Sequence, residues 1–465
     1  MQLDWRKYQF SGWVTGLCLL LLMGIASLIP PIQSPDEYQH LYRAYMLSNN
    51  QWLLHESTER MDKRGWRSRT QAGGDIDPGL LSYKDAHWPL VLDPHRQLTA
   101  VEREAVSQIQ WQNRLEFVQM PGAGYYFPAI YGPQALGLLT GQWLGLNIEQ
   151  SYRLCRAFTT LSCVILLLLA LKAWRPPPLA WALLLLPMTV FQLLSPTIDG
   201  LATCVAVLTL SLFVRICTKG STKAPEALAG LILGLFLLTT TRTHLLPMLA
   251  LPFFVSWREQ NWRVFLAALL LSFMALAWVA FAIASTTDDR VRHVTNAGLG
   301  LWHYMTHPEQ YAQMVWASLT HAETFYFYQR SFIGILGWLN VGLPESTYAL
   351  LWTSLGLCGL LTFNRFGPAT GLNSASRLTL AFLALTSIGL VFLAMLTTWT
   401  PINAPRIEGV QGRYFIIPAI MLSYAAMGPE PGDKQLGRAM VWTLLGLHAM
   451  VCFASLILAL VARYD

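Results

Sequence analysis

Apolar runs recur along this chain from residue 12 to residue 462, parted by polar segments of very different length. A soluble fold cannot hide so many of them, because its surface needs charge to stay in water. Soluble domains carry about 25% charged residues. Here Asp, Glu, Lys and Arg make up 12% of 465 residues, against 54% for the apolar set. The chain is therefore a polytopic membrane protein, and disordered, collagen-like and disulfide-built classes are excluded.

A helix crosses the hydrocarbon core with about 20 mostly apolar residues. Eleven stretches qualify: 11–30, 154–173, 179–196, 198–216, 226–241, 243–257, 263–285, 345–363, 377–398, 414–428 and 439–462. The first has a basic flank, Arg6 and Lys7, but lacks a small-x-small cleavage site, so it is expected to be retained as a helix. A twelfth stretch, 127–146, is interrupted by Gly132, Pro133, Gln134, Gly137, Gly141 and Gln142 and is expected to lie along the membrane surface. With that assignment the short loops on the N-terminal side carry thirteen Lys and Arg, and the opposite short loops and C-terminus carry four: Arg242, Arg406, Arg413 and Arg463. Basic residues gather on the cytoplasmic side. The expected architecture is one all-α integral membrane domain, 1–465, with about eleven spans, the N-terminus inside and the C-terminus outside. Two large segments, 32–152 and 285–344, then lie on the outer face.

The net charge of +6 belongs to those cytoplasmic loops, so no nucleic-acid partner is expected. All seven cysteines lie in or beside apolar runs without metal-ligand spacing, which suits packing. No phosphate-binding loop, dinucleotide turn, His-Glu-x-x-His helix or Gly-x-Ser-x-Gly elbow occurs. An outward-facing enzyme must then use a substrate that arrives activated, and the bilayer can deliver one attached to a lipid.

The most informative residues follow the first span: Ser34-Pro35-Asp36-Glu37-Tyr38-Gln39-His40-Leu41-Tyr42-Arg43. The pattern predicts a helix with Ser34 as N-cap, Pro35 in the first position and Glu37 completing a capping box. Asp36, His40 and Arg43 are spaced to share one face, and Glu37 and His40 are three apart. A carboxylate beside an imidazole and a guanidinium suits removal of a proton from a hydroxyl.

Three stretches resemble a bacterial family of uncharacterised membrane proteins placed in the GT-C glycosyltransferase superfamily. They are Pro35-Asp36-Glu37 with His40 and Arg43-Ala44; Leu186-Pro187-Met188 with Gln192, Ser195 and Asp199; and Ile407-Glu408-Gly409-Val410-Gln411-Gly412-Arg413-Tyr414-Phe415 with Pro418. The resemblance implies a GT-C-like bundle in which Asp36 is the catalytic base and 127–146 is the juxtamembrane helix. The chain departs from the superfamily there. Mannosyl- and aminoarabinosyltransferases carry a His- or Lys-Pro-Pro-Leu motif, where this chain has Tyr131-Gly132-Pro133-Gln134, so donor and acceptor identity stay open.

Basic residues at the outer ends of spans are candidates for holding a lipid phosphate. Arg413, with Gln411 and Tyr414 beside it, precedes the tenth span, and a guanidinium there suits paired hydrogen bonds to phosphate. The glycines flanking Val410-Gln411 would let backbone approach a ligand. Arg242 and His244 sit in a tight outer turn, at a depth where a lone charge needs a partner: a lipid phosphate, or Asp199 from another turn. Asp199 could alternatively cap its own helix or support a metal. His303, His307, His321 and Glu323 in the second outer segment match no standard metal spacing. The aromatics around them suit a membrane-interface belt.

The expectation is a glycosyltransferase of the bacterial inner membrane with a periplasmic active site. It would move a sugar from polyprenyl phosphate to a hydroxyl of a surface glycan, such as O-antigen or a wall polymer, with inversion. Catalysis falls to Asp36, Glu37 and His40, and substrate binding to Arg43, Arg413, Gln411, Tyr414, Arg242, His244 and Asp199. A divalent metal is left open. The alternatives are a transporter or flippase of lipid-linked saccharide, and a glycan ligase or polymerase.

Overall fold

The computed structural model describes residues 5–56, 72–286, 297–363, 372–401, 403–427 and 434–464. Parts of both segments expected on the outer face, 57–71 and 287–296, and the loop holding Arg365 lie outside the described residues.

Among the described residues six helices are long and apolar enough to cross a membrane: α6 (Ile148–Ala173), α9 (Ile198–Lys219), α12 (Trp262–Ser285), α16 (Glu345–Phe363), α17 (Ser374–Thr398) and α19 (Lys434–Tyr464). Two shorter apolar stretches join them, Thr15–Ser27 within α1 (Trp5–Ser27) and α10 (Pro225–Thr241). α9 is the hub: 83% of its apolar window is buried, against 22–33% for the other five long helices. Its Gly-, Thr- and Ser-bearing faces allow close approach, as in other membrane bundles. One bridge is Ser211 Oγ to Tyr424 Oη of α18 (Ile416–Ala425), 2.6 Å apart.

Three expected spans are interrupted or short. The stretch 179–196 divides into α7 (Pro178–Leu185) and α8 (Pro187–Leu193), because Pro187 has no N–H to continue the ladder. The carbonyls freed at the break find partners: Thr189 Oγ1 donates to Leu183 O at 2.8 Å, and His448 Nε2 lies 2.9 Å from Ala182 O. The other His448 nitrogen is 2.7 Å from Ser354 Oγ. The stretch 243–257 begins as a 3-10 helix, Thr243–Leu249, before α11 (Ala250–Glu259), and 414–428 begins as a 3-10 turn, Gly412–Phe415, before α18.

The stretch 127–146 forms a 3-10 turn, Pro128–Tyr131, and α5 (Gly132–Trp143). Twelve residues rise about 18 Å, well short of the bilayer core of about 30 Å. α5 packs against the first turns of α6 and against α2 (Glu37–Ser48). The segment 32–152 adds α3 (Pro78–Leu92), α4 (Ala100–Ser107) and a small antiparallel sheet in the order β1 (His55–Glu56), β2 (Ala72–Ile76), β3 (Glu116–Gln119). That sheet, paired Gly73 with Gln119 through Ile76 with Glu116, was not expected from the apolar pattern. The described part of the segment 285–344 forms α13 (Ala297–Thr306), α14 (Pro308–Thr320) and α15 (Ala322–Ile333). Its aromatics include Tyr328, which packs with Val391, Phe392 and Leu396 of α17 and with Ile407 and Val410.

Candidate functional site

The chain turns sharply between α1 and α2. Helix α2 starts at Glu37, with Asp36 as N-cap in the left-handed region at φ 59°, so Ser34 is not the cap and Pro35 is outside the helix. The reason is Glu37 itself. Its carboxylate accepts from Ile32 N at 3.0 Å and Ser34 N at 2.9 Å, wrapping the backbone around the side chain. Only the glutamate half of the expected capping box forms.

Ile32 is also left-handed, at φ 65°. Such conformations cost about 1–2 kcal/mol for an L-residue, and neighbours hold this one in place. Trp338 Nε1 donates to Ile32 O at 2.8 Å, and Tyr464 Oη donates to Gln33 Oε1 at 3.2 Å. Arg156 Nη1 donates to Ala26 O and Ile29 O at 2.7 and 2.8 Å, and its Nη2 to Tyr152 Oη at 2.5 Å. Tyr152 Oη in turn donates to Glu37 Oε1 at 2.5 Å. Burial pushes the Glu37 carboxyl above the usual range, while Arg156, Tyr152 and the backbone donors pull it back. Glu37 is wholly buried in this network and anchors the turn.

Asp36 is placed differently. It is half-buried, and among the described residues its carboxylate has no hydrogen-bond or ion-pair partner. His40, one turn along α2, shares a 2.9 Å hydrogen bond between Nδ1 and Tyr131 Oη. Its ring centroid is 5.7 Å from Tyr126 and 5.8 Å from Tyr131. Burial, then Arg242 and Arg413, hold its imidazole down at about 3, so it is neutral at ordinary pH. Burial also raises Tyr126 and Tyr131, and both feel the Asp36 carboxylate and the Arg242 guanidinium.

Those guanidiniums converge on one acid. Asp199, in the first turn of α9, pairs with Arg242 at the end of α10 and, at 3.2 Å, with Arg413 Nη1 in the turn before α18. Asp199 is therefore a counter-ion; Thr197, not Asp199, is the N-cap of α9. Gln192 Nε2 is 3.4 Å from Asp199 Oδ2. The contact depends on Gly200, where a Cβ would lie 2.6 Å from Gln192 O. Arg242 lies 5.6 Å over the Tyr126 ring and Arg413 5.3 Å over Tyr414. Gln192, Asp199, Arg242, His244, Arg413 and Tyr414 all border one small space of about 20 Å³, room for roughly one water. Arg413 Nε and Gln411 Oε1 are buried without a hydrogen-bond partner among the described residues.

The glycines around Val410-Gln411 have a different role from the expected one. Gly412 faces α15: a Cβ there would be 2.2 Å from Tyr328 O and Phe332 N, and its N–H donates to Ser331 Oγ at 2.8 Å. The close approach is to a helix, and it sets the position of Arg413. Arg43 also points elsewhere, its Nη2 donating to Trp52 O at 2.6 Å. His303 stacks on His307 at 4.6 Å, and among the described residues no three His, Cys, Asp or Glu gather as a metal site requires.

Tyr126, Tyr131 and Gln192 complete the cluster without having been singled out as site residues. Tyr131 and Gln192 stand inside the motif strings, but no spacing ties Tyr126 to Arg242. That link is tertiary: Phe127 N donates to Thr240 O at 3.3 Å, joining the turn before α5 to the end of α10.

Fold and site together define a helical, multi-pass membrane protein with a charged and aromatic cluster at one end of its bundle. The chain belongs to the DUF2142 family of predicted membrane proteins, whose model matches residues 19–422 and so includes Asp36, Asp199, Arg242 and Arg413. No curated protein and no solved structure matches the chain.

Proposed function

We propose that this protein is a GT-C-type glycosyltransferase of the bacterial inner membrane, with about eleven crossings, a cytoplasmic N-terminus and the Asp36 cluster on the periplasmic face. The observation that carries the reading is the combination of a carboxylate without a partner among the described residues, Asp36, and two guanidiniums that share one counter-ion, Asp199. An acid free to take a proton and cations able to hold an anion are the two needs of transfer from a lipid phosphate.

In this reading the phosphate of a polyprenyl-phosphate sugar displaces Asp199 from Arg413 and Arg242, opening the small space between them. The acceptor hydroxyl of a surface glycan attacks the anomeric carbon while its proton passes to Asp36. The bond from that carbon to the phosphate oxygen breaks on the opposite side, so configuration inverts. The departing phosphate keeps the electron pair, and the guanidiniums stabilise its charge. Neutral His40, with Tyr126 and Tyr131, lines the approach and orients without adding charge. Holding both substrates in place contributes several kcal/mol. Glu37 supports Asp36 through the turn instead of acting on substrate.

The test is mass spectrometry of surface glycans from cells with the wild type, without the protein, and with Asp36→Asn. A sugar increment present only with the wild type is expected. Equal glycans in all three, with each protein verified in the membrane, would overturn the reading.

The break at Leu186–Pro187 is the observation on the side of transport, since transporters build sites at interrupted helices. Thr189 and His448 occupy its freed carbonyls, which leaves little there to hold a substrate. A glycan ligase or polymerase acting on lipid diphosphate would use the same cluster, and the size of the mass increment separates it from single-sugar transfer.

A further inference from the structure

A second cavity is larger than the Asp199 space. A groove of about 880 Å³ lies behind the Glu37–Tyr152–Arg156 network, bounded by the outer end of α1, by α3 and α4, and by the start of α6. Its two walls differ in chemistry. On one, Met23 and Leu28 of the α1 end face Leu98. The neighbouring turns of α1 leave Leu17, Leu20 and Leu21 exposed by 68, 72 and 51%, the exposure of a lipid-facing surface. The groove is therefore continuous with the bilayer along α1.

The other wall is polar and balanced. α4 supplies Arg103, Glu104 and Gln108, and α6 supplies Glu149, Gln150 and Arg153. Two cations, two anions and two amides create no field of one sign. Arg153 pairs with Glu149, and Arg156 at the base is matched by Glu37 through Tyr152. A phosphate headgroup seeks guanidiniums in excess, as at Asp199. A polyhydroxyl headgroup instead needs donors and acceptors interleaved, because every hydroxyl both gives and takes a hydrogen bond.

We infer that this groove binds a lipid-anchored saccharide, its acyl chain along α1 and its sugar rings between α4 and α6. The site is separate from the phosphate cluster, and binding there does not depend on the transferase reading. If that reading holds, the groove presents a membrane-anchored acceptor on the flank of the turn that carries Asp36.

The test is photo-crosslinking of the full-length protein in phosphatidylcholine nanodiscs. One probe is glucosyl diacylglycerol with a diazirine in its acyl chain, and the other is phosphatidylglycerol with the same chain. The glucosyl probe should label peptides covering residues 23–31 and 98–108, and should do so at least fivefold more than the phosphatidylglycerol probe. Ser27→Trp, at an exposed position on the groove wall, should reduce that labelling at least fivefold. Arg103→Ala, at the rim, should reduce it about threefold. Labelling elsewhere on the protein should be unchanged and so reports that each variant is folded. Equal labelling by both probes, or groove labelling unaffected by Ser27→Trp, overturns the inference. Asp36→Asn should label like the wild type. Loss of transfer in that variant with no groove labelling in any form would sink the groove and leave the transferase standing.

Discussion

Two adjacent acids at the start of α2 meet opposite fates. Glu37 is sealed off, accepting from two backbone N–H groups and from Tyr152, with Arg156 behind. Asp36, one residue earlier, is half-buried beside aromatic rings with no partner among the described residues. The first arrangement gives the carboxylate three donors and is structural, although Arg156 Nε and Ser34 Oγ in it are buried without a hydrogen-bond partner among the described residues. The second, with Arg242 and Arg413 crowding Asp199, leaves charge and hydrogen-bonding capacity unused. Buried polar groups in folded proteins are nearly always satisfied. In the function proposed above, a lipid phosphate would meet the open groups around Asp199.

The contrast can be broken at several points. Asp36→Asn should lower sugar transfer about 10²–10⁴-fold, the range for losing a general base, while the melting temperature in detergent stays that of the wild type. Glu37→Gln should do the reverse: it strands Arg156 in the interior, at a cost of about 3–5 kcal/mol, seen as a lowered melting temperature and a poor yield. Replacing Glu37 and Arg156 together with methionine should recover part of that loss. If Glu37→Gln melted normally and abolished transfer, the two acids would have to exchange roles.

Arg413→Ala should weaken binding of undecaprenyl phosphate about 10–100-fold, equivalent to a charge-assisted pair of about 1.5–3 kcal/mol. Direct titration of the purified protein checks it, and unchanged affinity would remove the phosphate from this cluster. The smallest effect is on pH dependence. Burial and the two guanidiniums lower His40 from 6.5 to about 3. Between those values the unfolded chain takes up a proton that the folded chain refuses. Stability therefore falls as pH drops from about 6.5 towards 3, by up to about 1.4 kcal/mol per unit for this one group. His40→Asn, which keeps an acceptor for Tyr131, should flatten that part of a melting-temperature profile. An unchanged profile would mean that His40 is not buried beside the arginines.

Much of the candidate cluster was legible because charges at the ends of apolar runs are conspicuous. Asp199, Arg242, His244, Arg413 and Tyr414 each stand at such an end, and the basic-residue count placed those ends on one face. The structure brings all five to one small space. Arg43 was misplaced for a plain reason: helical spacing fixes which Cα atoms share a face, but a long side chain can run along the helix to a carbonyl such as Trp52 O. Gly412 was misjudged in the same way, since a glycine signals close approach without saying to what.

By itself the sequence determined the membrane class, the retained first helix as an expectation, the acidic turn behind it and the roster of charges at helix ends. All of these follow from local composition and spacing. Only the tertiary structure decided which of the two acids is sealed in, since that depends on Tyr152 and Arg156 arriving from α6, more than a hundred residues away. It likewise decided that Tyr126 and Tyr131 join the arginines, that α7 and α8 part at Pro187, and that a groove of about 880 Å³ lies behind Glu37. Pairing between distant segments is set by how helices pack, and a charge's surroundings are known only once they have packed.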